Sequence, residues 1–269
     1  MNIFKNVIFF IVITVFVGNF FASCVSIPGT SKKALILISP RQEQAMGLTA
    51  YNQIIQKEKL STNHKWNQML QRVGRRIANV VPVKNFDWRF TLIENKLQNA
   101  FCLPGGKVAF YTGIMPILQN EAGMAIVMGH EIAHAVARHG AQRVSQGMLA
   151  QIGMLGAGIL SSNSKHRNKT MALLGVGLNV GVMLPFSRSN ETEADTLGID
   201  YAAKAGYDPR EGPSFWQRFS AETSKGGRPP AFLSTHPTGE SRVRNLQALI
   251  PQAMINYNNS AKYGLGENI

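Results

Sequence analysis

The segment His130-Glu131-Ile132-Ala133-His134 combines two imidazoles and a carboxylate at a spacing that suits metal chemistry. On a helix, residues i and i+4 lie on the same face, so His130 and His134 can bind one metal ion together. Glu131 lies one step round the helix, where it can reach a water on that metal and act as a general base. The same short pattern also arises by chance, so its interpretation depends on the rest of the chain.

The residues around this segment predict the helix that carries it. Asn120 suits the N-cap, and Arg138 and His139 suit the last turn. Gly140 is placed to end the helix. The residues between these signals are apolar on most faces, which is typical of a helix buried in the centre of a domain. Because His139 lies five residues beyond His134, we expect it to point away from the metal.

A catalytic zinc ion uses three protein ligands and one open position for water. The metzincin arrangement requires a glycine and a histidine where this chain has Ala137 and Gly140, which excludes that arrangement. A later acidic segment offers another third ligand, because Glu191 and Asp195 share one helix face at i and i+4. Glu191 could ligate the metal while Asp195 accepts the free ring N–H of a ligand histidine. Glu193 projects elsewhere, as a solvated partner for a basic residue; alternatively, all these acids simply begin a surface helix.

The elements that must position these residues follow from periodicity and turn signals. Residues 41–81 have a helical pattern that Pro82 closes. Residues 99–103 and 107–112 flank the turn Pro104-Gly105-Gly106 and predict a β-hairpin packed on the helix that begins near Asn120. The remaining predictions are a strand over 88–94, helices over 187–205, 211–222 and 240–255, and apolar helices over 142–160 and 170–186 that cover the site or dip into a membrane surface.

The composition is that of an ordinary globular chain, with 269 residues, 45% apolar and 16% charged. The formal charge is +13. No zinc finger, basic-aromatic array or phosphate loop accompanies that charge, so nucleic acid is not an expected partner. The basic residues suit attraction to an anionic membrane surface, or simply a solvated face.

The N-terminus predicts export from the cytoplasm. The apolar run at residues 7–21 has the length of a signal-peptide core and is short for a bilayer span. It ends in Phe21-Ala22-Ser23-Cys24, and small residues before a cysteine resemble a bacterial lipoprotein signal, in which Cys24 is lipidated. A plain signal peptide and an uncleaved anchor are the alternatives. Val25, where an aspartate would favour the inner membrane, favours the outer membrane.

Taken together, these stretches resemble the HtpX/CAAX prenyl endopeptidase family of zinc metallopeptidases, which are gluzincins, and within it the BepA-like and LoiP-like bacterial envelope branch. The matching segments are Asn99-Ala100-Phe101-Cys102-Leu103-Pro104-Gly105-Gly106, Thr112-Gly113, His130-Glu131-Ile132-Ala133-His134, Ser187-Arg188, Glu191-Thr192-Glu193-Ala194-Asp195, and His236-Pro237 with Arg242. The resemblance implies an α+β fold, mainly α, with a small β-hairpin or sheet packed on the active-site helix. Cys102 stands where alanine is common. The region after the catalytic domain is too short for the helical repeats of BepA-like proteins, which favours the LoiP-like form.

Carried over by position, the resemblance implies one zinc ion per chain, held by His130, His134 and Glu191, with Glu131 as general base. It also implies catalytic roles for Asp195, His236 and Arg242, and a substrate-binding edge strand formed by Asn99, Ala100, Phe101, Cys102 and Leu103. An extended polypeptide could pair with that strand through the backbone. His236 would either fill the open metal position in a resting state or stabilise the transition state. From its residue type alone it is simply an exposed loop histidine, and Cys102 is a core residue rather than a nucleophile.

These observations predict a domain order and a function. We expect a signal peptide of lipoprotein type over 1–24, a tether over 25–38, a zinc metallopeptidase domain over 39–255 and a frayed C-terminal tail over 256–269. The expected function is a zinc endopeptidase that cleaves unfolded or misfolded proteins in the bacterial cell envelope, lipid-anchored on the periplasmic side of the outer membrane. The alternative is a chaperone or assembly factor that works with the envelope assembly machinery and cleaves little.

Overall fold

The computed structural model describes residues 24–160, 186–224, 231–236 and 240–269. The strands are β1 (Cys24–Ser26), β2 (Lys33–Leu35), β3 (Arg89–Ile93), β4 (Ala100–Leu103) and β5 (Lys107–Tyr111). The helices are α1 (Pro40–Lys57), α2 (His64–Val80), α3 (Met115–Leu118), α4 (Glu121–Val136), α5 (His139–Leu160), α6 (Arg188–Lys204), α7 (Glu211–Ser224), α8 (Ala231–Thr235) and α9 (Glu240–Asn258). The predicted α+β, mainly α fold is confirmed.

The predicted signal segment up to residue 23 and the apolar stretch at 170–185 lie outside the described residues. Within the described ranges, every helix is too short or too polar to span a bilayer.

A three-stranded sheet in the order β3-β5-β4 forms one wall of the domain. The predicted hairpin is present, because β4 runs antiparallel to β5 across a turn in which Gly105 and Gly106 have φ values of +80° and +86°. These positive φ values favour glycine. The strand β3 pairs with β5 in parallel, which local turn signals do not predict. Every residue of the central strand β5 is buried, and β4 is left at the edge of the sheet.

The predicted helical region at 41–81 is two helices. Ser39 caps α1 in a reciprocal capping box with Gln42, and the side chain of Asn63 caps α2 by accepting from the backbone N–H of Trp66 at 3.1 Å. The chain between the helices runs beside β3, where the backbone N–H of Ser61 donates to the carbonyl of Leu92 at 2.9 Å. This pairing with a strand breaks the helix even though the apolar periodicity continues.

The helix α4 is the centre of the domain, and all of its residues are buried. Asn120 caps it, as the sequence predicts, by accepting from the backbone N–H of Gly123 at 2.7 Å. The helix ends at Val136, before the predicted stop at Gly140. Arg138 then takes a positive φ of 56°, and a new helix, α5, begins at His139.

Contacts with Ile38 and Glu43 hold Arg138 in this uncommon backbone conformation. Its Nε donates to Oε2 of Glu43 on α1 at 2.7 Å, and its Nη2 donates to the carbonyl of Ile38 at 3.2 Å. A non-glycine residue at positive φ persists when surrounding contacts determine its position. The turn after α4 is therefore set by partners that lie about a hundred residues earlier in the sequence.

Residues 25–38 belong to the folded domain rather than to a free tether. β1 and β2 pair as an antiparallel hairpin. Ile27, Ile36 and Ile38 are buried in the main hydrophobic core, which is not the behaviour of a solvated linker.

The C-terminal tail is also in contact with the domain rather than frayed. The backbone N–H of Ile269 donates to the carbonyl of Gln119 at 2.9 Å, and that of Glu121 donates to the carbonyl of Glu267 at 3.1 Å. The tail therefore supplies an acceptor to one of the N–H groups that the first turn of a helix leaves without an intrahelical partner.

Candidate metal centre

Four buried side chains converge at the middle of α4. His130 and His134 come from α4, Glu191 from α6, and His236 follows α8 directly. One ligand atom from each of them lies within 4.8 Å of all the others. The structure thus brings together the two histidines of the motif, the glutamate from the later helix and the loop histidine.

The separations of these atoms fit one metal ion. Nε2 of His130 lies 3.1 Å from Nε2 of His134 and 3.2 Å from Nδ1 of His236. Oε1 of Glu191 lies 3.3 Å from Nε2 of His134 and 3.0 Å from Nδ1 of His236. Ligands about 2.0–2.1 Å from a tetrahedral metal are roughly 3.3 Å from one another. Three imidazoles and a carboxylate are also donors that a divalent transition metal prefers, so the residues present fit a metal ion.

The electrostatics of the cluster favour a cation at this point. Burial raises the pKa of Glu191, but hydrogen bonds from the surrounding histidine rings hold it well below its usual range. Burial and Arg242 lower the pKa of His130, whereas hydrogen bonds to Asp195 and Glu191 raise it to about 9. Burial lowers the pKa of His134 well below its usual value. The carboxylates therefore stabilise positive charge where the rings meet.

Asp195 and Arg242 support this arrangement from behind. Oδ1 of Asp195 lies 3.0 Å from Nδ1 of His130, the ring nitrogen opposite the one that faces the cluster. Arg242 on α9 donates to Asp195 through Nε at 2.8 Å and Nη2 at 2.7 Å, and its Nη1 lies 2.9 Å from Oε2 of Glu191. The guanidinium stacks 3.6 Å over the ring of Trp216. The Arg242 guanidinium therefore holds both Asp195 and Glu191 in place, and Asp195 in turn orients His130.

His139 is not one of the four side chains of the cluster, but its ring contacts one of them instead of pointing away from the site. Its Nδ1 lies 2.9 Å from Nδ1 of His134. Five residues along a continuous helix would place the two rings on different faces, but α4 ends at Val136 and the turn at Arg138 brings His139 back.

The expectation of a solvated Glu193 is also wrong. Its side chain is only 11% exposed, and Oε2 lies 3.6 Å from Nε2 of His139. The basic partner of the expectation is present, because Nζ of Lys32 lies 3.2 Å from the same oxygen.

Glu131 faces a cavity of about 190 Å³ between α4, α1 and the edge strand β4. Burial raises the pKa of Glu131, and its Oε1 lies 3.4 Å from Nε2 of His236. The ring of Phe186 stacks on His134 with 3.9 Å between the centroids and forms part of the wall. The cavity therefore places a carboxylate with elevated proton affinity beside the metal ligands.

The five residues predicted to bind substrate all line this cavity: Asn99, Ala100, Phe101, Cys102 and Leu103. Ala100 and Leu103 are buried, and the carbonyl of Leu103 already accepts from the backbone N–H of Gly106 at 3.3 Å. Asn99, Phe101 and Cys102 are partly exposed. Burial raises the pKa of the Cys102 thiol well above its usual value, which argues against a nucleophilic thiolate.

Sequence reasoning missed Phe186 and Trp216, which pack on the metal ligands and on Arg242. Neither residue stands out in the sequence, because an aromatic residue at the end of an apolar stretch or inside a helix is most often a core residue. His139 and Glu193 were visible beside the motifs, but their positions depend on a turn that the local pattern does not indicate.

Comparisons with known proteins agree with this site. The family model described as peptidase family M48 matches residues 64–250, which include the whole cluster. The chain is 32% identical over 241 residues to the mitochondrial metalloendopeptidase OMA1 of Schizosaccharomyces pombe, an alignment that covers 88% of this chain and 69% of that protein. The OMA1 of Saccharomyces cerevisiae is 29% identical over 257 residues, with 89% of this chain and 72% of that protein covered.

A bacterial relative is similar over the same region. The beta-barrel assembly-enhancing protease of Escherichia coli is 30% identical over 249 residues, which cover 89% of this chain. The alignment covers 51% of that relative, so the chain spans about half of its length. Because the family model matches most of the chain and contains every residue of the cluster, this chain belongs to peptidase family M48 and is a metallopeptidase.

Proposed function

We propose that the protein is a zinc-dependent endopeptidase that cleaves unfolded or misfolded proteins in the bacterial cell envelope. The observation that carries this proposal is the buried His130–His134–Glu191 group beside a cavity that contains Glu131 and an edge strand. Two histidines and one glutamate are a ligand set of catalytic zinc sites in peptidases. Nδ1 of His236 lies 3.2 Å from Nε2 of His130 and 3.0 Å from Oε1 of Glu191, so it would serve as a fourth ligand.

In this proposal each residue has a distinct task. Zinc, when bound, acidifies a water and polarises the scissile carbonyl. Glu131 takes the proton from the attacking water and later gives it to the leaving amine, and its raised pKa suits transfer in both directions. Asp195 holds the His130 ring in the tautomer whose Nε2 is free, and Arg242 keeps Asp195 and Glu191 in place.

The geometry of the cleft favours an extended polypeptide as substrate. β4 lies at the edge of its sheet, and an edge strand offers backbone N–H and C=O groups to a further strand. The side chains of Ala100 and Leu103 are buried and are not available to a substrate, which favours backbone recognition by the partly exposed residues of this edge. Such recognition selects chains that can become extended, which unfolded proteins can and folded ones cannot.

The cellular location in this proposal rests on the N-terminal sequence. An apolar run that ends in small residues before Cys24 supports a lipoprotein-type signal over 1–24, and Cys24 itself is exposed. The Escherichia coli relative is named for beta-barrel assembly, which supports an envelope role, whereas the OMA1 relatives are named as mitochondrial proteins. A second candidate function, an assembly factor that cleaves little, is favoured by His236, which lies among the metal ligands.

The test uses the purified protein and its Glu131→Gln variant. We expect Glu131→Gln to retain one zinc ion per chain and to lose hydrolysis of an unfolded polypeptide by about 10²–10⁴-fold, because it removes the base and no ligand. Glu94→Gln, a change at an exposed acid that pairs with Lys59, is the matched control and should behave as wild type.

Two outcomes would contradict the proposal. Loss of zinc from Glu131→Gln would mean that this residue is a ligand rather than the base. A wild-type protein that keeps an unfolded polypeptide from aggregating, but does not cleave it with zinc bound, would favour the assembly factor.

A further inference from the structure

The ring of His134 has a second nitrogen that the proposed metal chemistry leaves unused. Its Nε2 faces the cluster, 3.1 Å from Nε2 of His130, whereas its Nδ1 lies 2.9 Å from Nδ1 of His139. His139 is fully buried. On the far side of its ring, Nε2 lies 3.6 Å from Oε2 of Glu193. Four groups therefore lie in a row, from the metal position through His134 and His139 to Glu193.

The positions of the protons in this row follow from the geometry. Two ring nitrogens 2.9 Å apart form one hydrogen bond, in which one donates and the other accepts. When Nε2 of His134 is the metal ligand, the proton of that neutral ring is on Nδ1, so His134 donates to His139. The proton of the neutral His139 ring is then on Nε2 and faces the Glu193 carboxylate. Among the described residues no hydrogen bond reaches that Nε2, so Glu193 is the anion it faces.

We propose that His139 is a positioning residue of the metal centre, which accepts the Nδ1–H of His134 and so keeps Nε2 of His134 free and aimed at the metal. Glu193 orients His139 in turn. The inference rests on the metal centre proposed above. It means that the two histidine ligands on α4 are oriented by different groups. His130 is oriented by a charged pair, Asp195 with Arg242, whereas His134 is oriented by a second imidazole.

The backbone turn before His139 determines where its ring lies. Arg138 has a φ of 56°, and its guanidinium is held by Glu43 at 2.7 Å. Without this turn the ring would follow α4 away from His134. Phe186 closes the other side of His134, with its ring at 26° to the imidazole and 3.9 Å from it, so the ring plane is restrained from two directions.

The test compares two substitutions at one position that differ in their ability to accept a hydrogen bond. Phe in His139→Phe fills the site but cannot accept a hydrogen bond, whereas the side-chain oxygen in His139→Asn can stand in for Nδ1. We expect His139→Phe to raise the zinc dissociation constant, measured by competition with a chelator, by about 10–100-fold, as loss of an outer partner of a ligand does. His139→Asn should stay within a few-fold of wild type, and Glu193→Gln should lie between the two variants. His64→Phe, the same change at an exposed position, is the control.

A spectroscopic readout separates positioning from folding. Visible absorption of the cobalt-substituted protein reports the ligand geometry, so we expect altered bands in His139→Phe and wild-type bands in His139→Asn. Denaturant unfolding of the metal-free forms shows whether each variant is folded.

Three outcomes would overturn the inference in distinguishable ways. If wild type and His139→Phe bind zinc equally, His139 has no positioning role, and the proposed metal centre stands. If His139→Asn is as weak as His139→Phe, with the same change in unfolding, the role of the residue is packing. If wild-type protein binds no zinc at all, the metal centre and this inference both fail.

Discussion

Gly129 of α4 and Gly198 of α6 lie back to back. A Cβ on Gly129 would be 2.5 Å from the carbonyl oxygen of Gly198, and a Cβ on Gly198 would be 2.6 Å from the backbone nitrogen of His130. No side chain fits such distances, so the two helices approach as closely as their backbones allow. This approach lets Glu191, on the first turn of α6, reach the histidines of α4.

Gly198→Ala should therefore weaken zinc binding and lower stability, although Gly198 is not a metal ligand. The added methyl group must push α6 away from α4, and we expect a loss of about 1–3 kcal/mol in the free energy of unfolding, as overpacking causes, together with weaker zinc binding. Gly147→Ala is the control, because a Cβ there meets no atom within 4 Å and the residue lies inside α5. It should leave zinc binding unchanged and stabilise the protein by up to about 1 kcal/mol. A Gly198→Ala variant with wild-type unfolding and zinc affinity would contradict this account.

His236→Ala should raise the basal rate of peptide hydrolysis several-fold. Nδ1 of His236 lies 3.2 Å from Nε2 of His130 and 3.0 Å from Oε1 of Glu191, so with zinc bound the ring would compete with water for the metal. Zinc affinity should fall modestly in the same variant, because one ligand is removed. The measurement is hydrolysis of an unfolded polypeptide at saturating zinc. A fall of about 10²–10³-fold would instead assign His236 to stabilisation of the transition state.

Arg242→Met should destabilise the metal-free protein by about 3–5 kcal/mol, because it leaves the buried carboxylates of Asp195 and Glu191 without their cation. Met approximates the length of the aliphatic part of the Arg242 side chain and keeps contact with Trp216, so the change tests the charge rather than the packing. The measurement is urea unfolding, with Arg75→Met, the same change at an exposed position of α2, as the control within about 0.5 kcal/mol of wild type. Equal stability of the two variants would mean that the acids are neutralised in another way.

Glu121 should make the stability of the protein fall in acid. Burial raises its pKa, but hydrogen bonds from Arg72 and Tyr207 bring the pKa below the ordinary value of 4.5. A lowered folded-state pKa contributes stability that is present above the unfolded pKa and is lost as the pH falls through the folded value. Glu121→Gln should lower the free energy of unfolding near neutral pH by about 1.5–3 kcal/mol and make it less dependent on pH below 4.5. An unchanged slope of unfolding free energy against pH would refute this assignment.

Cys24→Ser should release the protein from membranes if the proposed lipid anchor is correct, because the modified thiol is removed. The measurement is sedimentation of membranes from producing cells, with mass determination of the mature N-terminus. Cys102→Ser leaves Cys24 in place and is the control. Sedimentation of the Cys24→Ser variant with an intact N-terminus would identify the apolar segment as an uncleaved anchor instead.

The parts of the site that the sequence predicts are those with local causes. Asn120 caps its own helix, and the spacing of His130 and His134 places both on one face in any α-helix. The end of α4 could not be predicted in this way. Arg138 takes its positive φ while paired with Glu43, a residue on another helix, and the position of His139 follows from that pair.

The same difference between local and tertiary causes holds for the sheet and for the residues that support the metal ligands. The turn at Gly105 and Gly106 predicts the β4–β5 hairpin, whereas the parallel pairing of β3 depends on how α2 and the following chain pack. Trp216 meets Arg242 only because α7 and α9 come together in the folded protein. Tertiary packing decides such contacts, and no periodicity within one segment encodes them.

The contact between the C-terminal tail and the start of α4 also sets an order of events in biosynthesis. The carbonyl of Gln119 and the backbone N–H of Glu121 are satisfied by Ile269 and Glu267, which are made nearly 150 residues later. At roughly 5–20 residues per second, a ribosome needs about 7–30 s to make that stretch. The helix that carries the histidines therefore completes its hydrogen bonds only after the tail has emerged, so the nascent chain depends until then on incomplete contacts around its own catalytic segment.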